Sequence, residues 1–471
     1  MDWKLLIRSR RGDAPAYVFA VLAGVLGVGL VFLTPLFQVP DEPVHAYRAY
    51  QVSEGIIAAE TRDGVGGGEV PVSLAEAVLA LRAPENDRSA AARASNLRLL
   101  RAKPLDPSAR IFLPFQATAV YSPVAYLPHA TGFVVARLLH VSAPSLCYIG
   151  RLSNLLAWVA MVFAAIRITP IYRWLLVFLA LLPMSLFEAA SLSADATTNG
   201  LAYLTIALFL RLALDPSRAV RKREIAALFV TCCLVALAKP GYVPIVVLFF
   251  LIPGDKFDSR KQQFALFALL TTGAILATVV WSSFGRVAQH VQLIAQLAPW
   301  RDVLDPVQQV QYILSHPVAF AATLLRTLAI QFENLRDHFI GVLGWLDVPL
   351  PRASVNFGYA MILFFGLRDS RCDINLDLRS KAILAIYAIA TVVLIMTSEF
   401  VTWSPVGAAQ IDGMQGRYLI PVAPAAFALL YNRRLRWIGR DRDLGWIAVA
   451  SVLVLFITAA VALTHRYYDG N

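Results

Sequence analysis

Apolar residues in this chain run in long unbroken stretches, and short clusters of lysine and arginine separate them. Tyr17 to Leu36, Phe264 to Phe284, Ala382 to Thr397 and Trp446 to Leu463 each approach the roughly 20 apolar residues that cross a bilayer as a helix. Hydrocarbon offers the backbone no hydrogen-bond partners, so a crossing segment must satisfy its own groups, as a helix does. Nothing alternates in the manner of a barrel strand. The pattern predicts an all-α polytopic membrane fold, a single integral domain over residues 1–471. Composition agrees, since 58% of the residues are hydrophobic, only 15% are charged and mean hydropathy is +0.62, well beyond soluble averages.

The basic clusters set the topology, because cytoplasmic loops collect Lys and Arg. They are Lys4 to Arg11, Arg211 to Arg223, Lys256 to Lys261, Arg368 to Lys381 and Arg433 to Arg442. With all five inside, every intervening stretch crosses an even number of times. Parity demotes 118 to 139, broken by Pro123 and Pro128, to an interfacial helix, and lays Val318 to Ile330 flat at the outer surface. It splits 224 to 253 into two short helices meeting at Lys239-Pro240-Gly241. About 11 crossings result, with the N-terminus cytoplasmic and the C-terminus extracytoplasmic. Residues 37–149 form a first outer loop and 285–353 a second. Within the first, Gly64 to Gly68 reads as a flexible link and Ala75 to Leu100 as one Arg-rich helical stretch.

Charge and cysteine add exclusions. The net charge of +11 is divided among short clusters rather than gathered in one stripe, so nucleic acid is not the expected partner. Cys147, Cys232, Cys233 and Cys372 lack metal-ligand spacing and read as packing residues. The first apolar run is longer than a signal segment and is expected to be retained. His129, His140, His290 and His316 have no ligand spacing either.

The remaining polar residues gather at the predicted outer boundary. Asp41, Glu42, His45, Arg48 and Tyr50 follow the first span directly, and a helix starting at Pro40 to Pro43 would set Asp41, His45 and Arg48 on one face. Asp195 opens a span, Lys239 stands at the break between two short helices, Asp347 lies in an outer loop, and Arg417 enters a span from outside. Each has a plainer reading: helix capping for Asp41 and Asp195, snorkelling for Lys239, a turn for Asp347, an interfacial anchor for Arg417. Ionisable groups at membrane depth are costly, however, and carboxylates beside a Lys and an Arg suit a phosphate-bearing lipid and an attacking hydroxyl.

Several motifs in order carry a family resemblance over most of the chain: Pro40-Asp-Glu-Pro-Val-His45 with Arg48, Tyr121-Ser-Pro-Val-Ala-Tyr126-Leu-Pro128, Arg151-Leu-Ser-Asn154, Ser191-Leu-Ser-Ala-Asp195, Lys239-Pro-Gly-Tyr242, Gly344-Trp-Leu-Asp347 and Gln415-Gly-Arg-Tyr418. They resemble the DUF2142 family of bacterial membrane proteins, which looks related to the GT-C glycosyltransferases. The resemblance implies transfer from a polyprenyl-phosphate-linked sugar, with Asp41 as base and Glu42 as the alternate. Lys239, Arg417 and Arg48 would hold the donor phosphate, supported by His45, Asp195, Tyr121, Tyr126, Tyr242, Asp347, Gln415 and Tyr418. No cofactor is expected; a divalent ion, used by some GT-C enzymes, would find only an incomplete site at Asp41 and His45.

The expectation is an inverting glycosyltransferase of the bacterial inner membrane acting on an extracytoplasmic glycan or glycolipid. A transporter or flippase of a lipid-linked saccharide is the rival from another class, and a non-catalytic assembly subunit the third.

Overall fold

A computed structural model describes residues 13–63, 65–82, 90–215, 219–284 and 304–469. Lys4, Arg8, Arg10, Arg11, Arg218 and His290 lie outside them. Six helices among the described residues are long and apolar enough to cross a bilayer. They are α1 (Ala14–Leu33), α2 (Ala143–Ile168), α3 (Asp195–Leu214), α4 (Arg260–Phe284), α5 (Leu378–Trp403) and α6 (Asp441–Tyr467).

Shorter pieces fill the space between them, and each break has a local cause. Pro183 divides 173–189 into Arg173–Ala180 and Pro183–Ala189. Lys239 precedes a proline, which excludes the α region there, so the helix Lys222–Ala238 ends and Lys239 is extended. The following Pro240–Leu251 is a 3-10 helix. Its 12 residues rise about 24 Å, against about 18 Å for an α-helix of that length. Gly416–Leu419, Ala423–Phe427 and Ala428–Leu430 make another irregular path. Non-helical backbone at membrane depth is tolerated where protein surrounds it, and Gly416, Arg417, Ala423, Pro424, Ala425 and Ala428 are buried.

Side-chain contacts gather the loop clusters at one end of the bundle. Arg167 Nη2 meets Asp13 Oδ2 at 2.8 Å. Lys256 Nζ donates to the carbonyls of Leu212 and Asp215. Asp369 accepts from the backbone of Trp174 and Leu175, while Asp441 accepts from the Trp174 indole. Because Lys256 folds back beside Leu212, the segments 222–238 and 240–251 form an out-and-back pair with Lys239 at the far end.

The first loop departs from the all-α expectation. Gly64 itself is not described, but Val65–Pro71 is no flexible link: it is β2, the centre of an antiparallel sheet β1-β2-β3 with β1 at Glu60–Arg62 and β3 at Arg110–Pro114. Its glycines serve close approach, because a Cβ on Gly67 would lie 2.2 Å from the Leu113 carbonyl and one on Gly68 would lie 2.5 Å from Gln51 Nε2. The stretch read as one Arg-rich helix is two, Val72–Leu81 and Ala90–Arg101. The demoted segment holds only the short helices Gln116–Ala119, Pro123–Tyr126 and Leu127–Leu138. Pro317–Ile330 is bent by 107° from Pro306–Ser315, and its Thr323 and Thr327 bond to the 408–411 loop.

Candidate functional site

The site begins with a strained turn. Between α1 and the helix Glu42–Ser53 the chain places two non-glycine residues, Phe37 (φ 65°) and Asp41 (φ 61°), in the left-handed region, at about 1–2 kcal/mol each. A buried ion pair holds this turn. Arg151 donates through Nε and Nη2 to both oxygens of Glu42, at 2.7 and 2.6 Å. Its other bonds reach the carbonyls of Val31, Thr34 and Pro35, where α1 has run out of intrahelical donors. Glu42 in turn accepts from the backbone N–H of Phe37 and of Leu192. Both side chains are fully buried.

This pair therefore aims two acidic residues. Asp41, whose side chain makes no capping bond, is 53% exposed and turns toward Arg417, 3.7 Å away. Leu192 lies three residues before Asp195, and one turn beyond Arg151 the Asn154 amide donates to Ser191 O at 2.9 Å. Arg151 and Asn154 thus pin the chain that leads into α3 from one helical face.

Around Arg417 the charges converge. Lys239 Nζ bonds Asp195 Oδ1 at 2.9 Å and sits 4.2 Å from the centroid of the Tyr418 ring, a cation–π distance. Tyr242 donates to the Tyr418 carbonyl at 2.9 Å, fixing that residue. Arg417 is 5% exposed and faces Asp41 at 3.7 Å, Glu188 at 3.8 Å and Asp195 at 3.8 Å. All three distances exceed a hydrogen bond, and its Nε has no partner. Gly416 makes the approach possible: a Cβ there would lie 1.9 Å from the carbonyl of Leu335, in the helix Phe332–Ile340. His45 is buried and shares a 2.8 Å hydrogen bond with the Tyr126 hydroxyl. Burial holds its imidazole below the usual value of 6.5, against the upward pull of Asp41 and Asp195.

Two residues beyond Arg417, at Leu419, the chain enters the wall of an apolar groove of about 580 Å³. Leu419, Val422, Ala426 and Phe427 form one wall and Ala388 to Met396 of α5 another, with Leu324, Leu325 and Leu328 opposite. The α5 wall extends about 12 Å along the helix axis at 1.5 Å per residue. Leu325 is 70% exposed, so the groove opens sideways where lipid would lie.

The structure gathers Asp41, His45, Asp195, Lys239, Arg417 and Tyr418 into one cluster, with Tyr121, Tyr126 and Tyr242 around it. Gln415 precedes Arg417, its Oε1 buried and unbonded. Three candidates are placed elsewhere. Glu42 is consumed by Arg151. Arg48 is wholly buried and takes up its guanidinium within the protein, donating to Gln51 and to the Ile57 and Tyr121 carbonyls. Asp347 sits in the tight β4–β5 turn (β4, Val342–Leu343; β5, Val348–Pro349), accepting from Trp345 N and pairing with Arg466 at 2.5 Å. Two carboxylates join unforeseen: Glu188, 1% exposed and bonded to Asn199, and Glu399, within electrostatic reach of Lys239, Arg417 and Asp195. Each is a lone acid inside an apolar run, and that alone could have flagged it. Among the described residues no three His, Cys, Asp or Glu side chains are grouped as metal ligands.

Residues 25–426 match a sequence family described as a predicted membrane protein, DUF2142. No curated protein and no solved structure matches the chain.

Proposed function

This chain belongs to the DUF2142 family of predicted membrane proteins, and on that premise we propose that it is an extracytoplasmic membrane glycosyltransferase using a polyprenyl-phosphate-linked sugar. The observation that carries the reading is the Arg417 guanidinium, buried, without a hydrogen-bonding partner among the described residues, beside a half-exposed carboxylate and two residues from the apolar groove that Leu419 lines. A ligand matching it carries a phosphate on a long apolar chain. The phosphate takes the guanidinium fork, with Lys239 as a second charge. The chain lies along Leu419 to Phe427. Asp41, at the mouth, removes the proton of the acceptor hydroxyl as it attacks the sugar, and the lipid phosphate leaves. One displacement by one base inverts the anomeric centre.

The same reading includes the inner membrane of a bacterium, the cluster on the non-cytoplasmic side, and about 11 crossings in a GT-C-like arrangement. It is supported by the basic loops lying at the end opposite Lys239. Charge sets a condition: Lys239 and Arg417 face Asp41, Glu188, Asp195 and Glu399, so a donor phosphate enters with a compensating cation or proton.

The test is transfer of label from polyprenyl-phosphate sugars to a cell-envelope extract by purified protein, with magnesium and with EDTA. Wild type should transfer and Asp41→Asn should fall by about 10²-fold or more. Translocation of sugar lipid that survives Asp41→Asn, with no transfer by wild type, replaces the enzyme with a flippase.

A further inference from the structure

A second lipid-shaped feature lies at the opposite end of the bundle, far from Arg417. There a cavity of about 470 Å³ is lined by Phe163, Ala164, Arg167, Ile168 and Arg211. Arg167 stands in the last turn of α2 and Arg211 in the last turn of α3. These helices pack side by side and run the same way, since Arg151 and Asp195 near their starts share the outer cluster's supports.

The exposure pattern of the two helices leads up to the cavity. Between Leu201 and Arg211, α3 is buried everywhere except at Leu204, Leu208 and Arg211, spaced i, i+4, i+7 on one face. On α2 a stripe of incompletely buried positions runs Leu156, Ala160, Phe163 and Arg167, and its last two residues line the cavity. Both are apolar for most of their length and end in an arginine. From Leu156 to Arg167 the stripe covers about 16 Å of helix, on the scale of an acyl chain. Arg167 already meets Asp13 at 2.8 Å, whereas the Arg211 guanidinium has no ion-pair or hydrogen-bond partner among the described residues. The cavity therefore keeps a net cation at the depth where the basic loops begin.

We propose that the seam between α2 and α3 is a binding site for an anionic phospholipid. Its phosphate sits between Arg167 and Arg211, and one acyl chain lies along Leu204 and Leu208 against Phe163. Basic pockets between spans at the inner leaflet recognise anionic headgroups in this way. The site is separate from the sugar-transfer cluster and stands whether or not that activity does.

The test is native mass spectrometry and thermal melting of the purified full chain with phosphatidylglycerol, with phosphatidylcholine and with inorganic phosphate. Wild type should retain phosphatidylglycerol and melt higher with it than with phosphatidylcholine, and inorganic phosphate should leave the melt unchanged. Arg167→Gln with Arg211→Gln should weaken retention about thirtyfold. Leu208→Trp, which keeps both charges and fills the stripe, should weaken it as well, and Arg211→Lys should largely preserve it. Equal retention by the double variant overturns the proposal. So does a melt raised as much by inorganic phosphate as by the lipid, which would reduce the cavity to a phosphate site.

Discussion

Two buried arginines in this protein face carboxylates, and they differ in how completely they are bonded. Arg151 spends its fork on both Glu42 oxygens and reaches three backbone carbonyls besides, while Glu42 accepts two further backbone N–H groups. Arg417 faces three carboxylates and hydrogen-bonds none of them. A saturated pair is closed to any ligand and can only hold shape. An unsatisfied guanidinium costs stability, on the order of 1–3 kcal/mol or more for a buried charged donor, and that cost is recovered when a suitable anion arrives. The first region is a brace, the second the binding site we propose, and the brace turns Asp41 toward Arg417.

The largest expected effect is on the brace. Arg151→Met strands the buried Glu42 charge and should destabilise the fold by about 3–5 kcal/mol, read as a lowered thermal midpoint. A buried ion pair replaced by two apolar residues often recovers such a loss. Here Glu42→Met with Arg151→Met should not, because five backbone groups, the carbonyls of Val31, Thr34 and Pro35 and the N–H of Phe37 and Leu192, would lose their partners. A double variant as stable as wild type would refute the assignment of a brace. Arg417→Lys keeps the charge and loses the fork. It should lower transfer by about 10²-fold and leave the melting midpoint near wild type; a midpoint depressed as far as that of Arg151→Met would erase the distinction between the two arginines.

The sequence made much of this visible, and the limits have physical causes. Lys239 was legible because a proline follows it in an apolar run, which dictates a break and an extended residue. Asp195 and Arg417 were legible as charges at span boundaries. The choice between Asp41 and Glu42 was not, since adjacent residues on a helix start differ only by the backbone angle at Asp41, and nothing in the pattern announces a left-handed aspartate. Strand β2 escaped because glycine has low strand propensity, and its glycines answer to neighbouring backbone instead. Glu188 carried a usable signal, a lone acid inside an apolar run, but the sequence does not show that the chain folds it back beside Arg417.

A smaller effect concerns the groove. Ala423→Phe narrows the space behind Leu419 without touching the charged cluster. It should raise KM about tenfold for a long-chain donor and leave KM for a water-soluble short-chain analogue unchanged. Equal loss on both donors would place the chain elsewhere.

The smallest effect is a pH dependence that the two regions should not share. His45 lies in the helix that Asp41 begins, and burial keeps its imidazole below 6.5 in the folded protein. The unfolded chain binds that proton near 6.5. As pH falls below this value the unfolded state takes up a proton that the folded state refuses, so stability declines, by at most about 1.4 kcal/mol per pH unit until the folded imidazole also titrates. Above 6.5 the contribution is constant. His45→Gln, which can still meet the Tyr126 hydroxyl, should flatten the fall in thermal midpoint between pH 7 and 5. Asp41→Asn should lengthen it toward lower pH, because Asp41 is a carboxylate that pulls the imidazole upward. An Asp41→Asn profile superimposable on wild type would mean that the two side chains do not sense each other, and Asp41 would then not face the cluster that His45 lines.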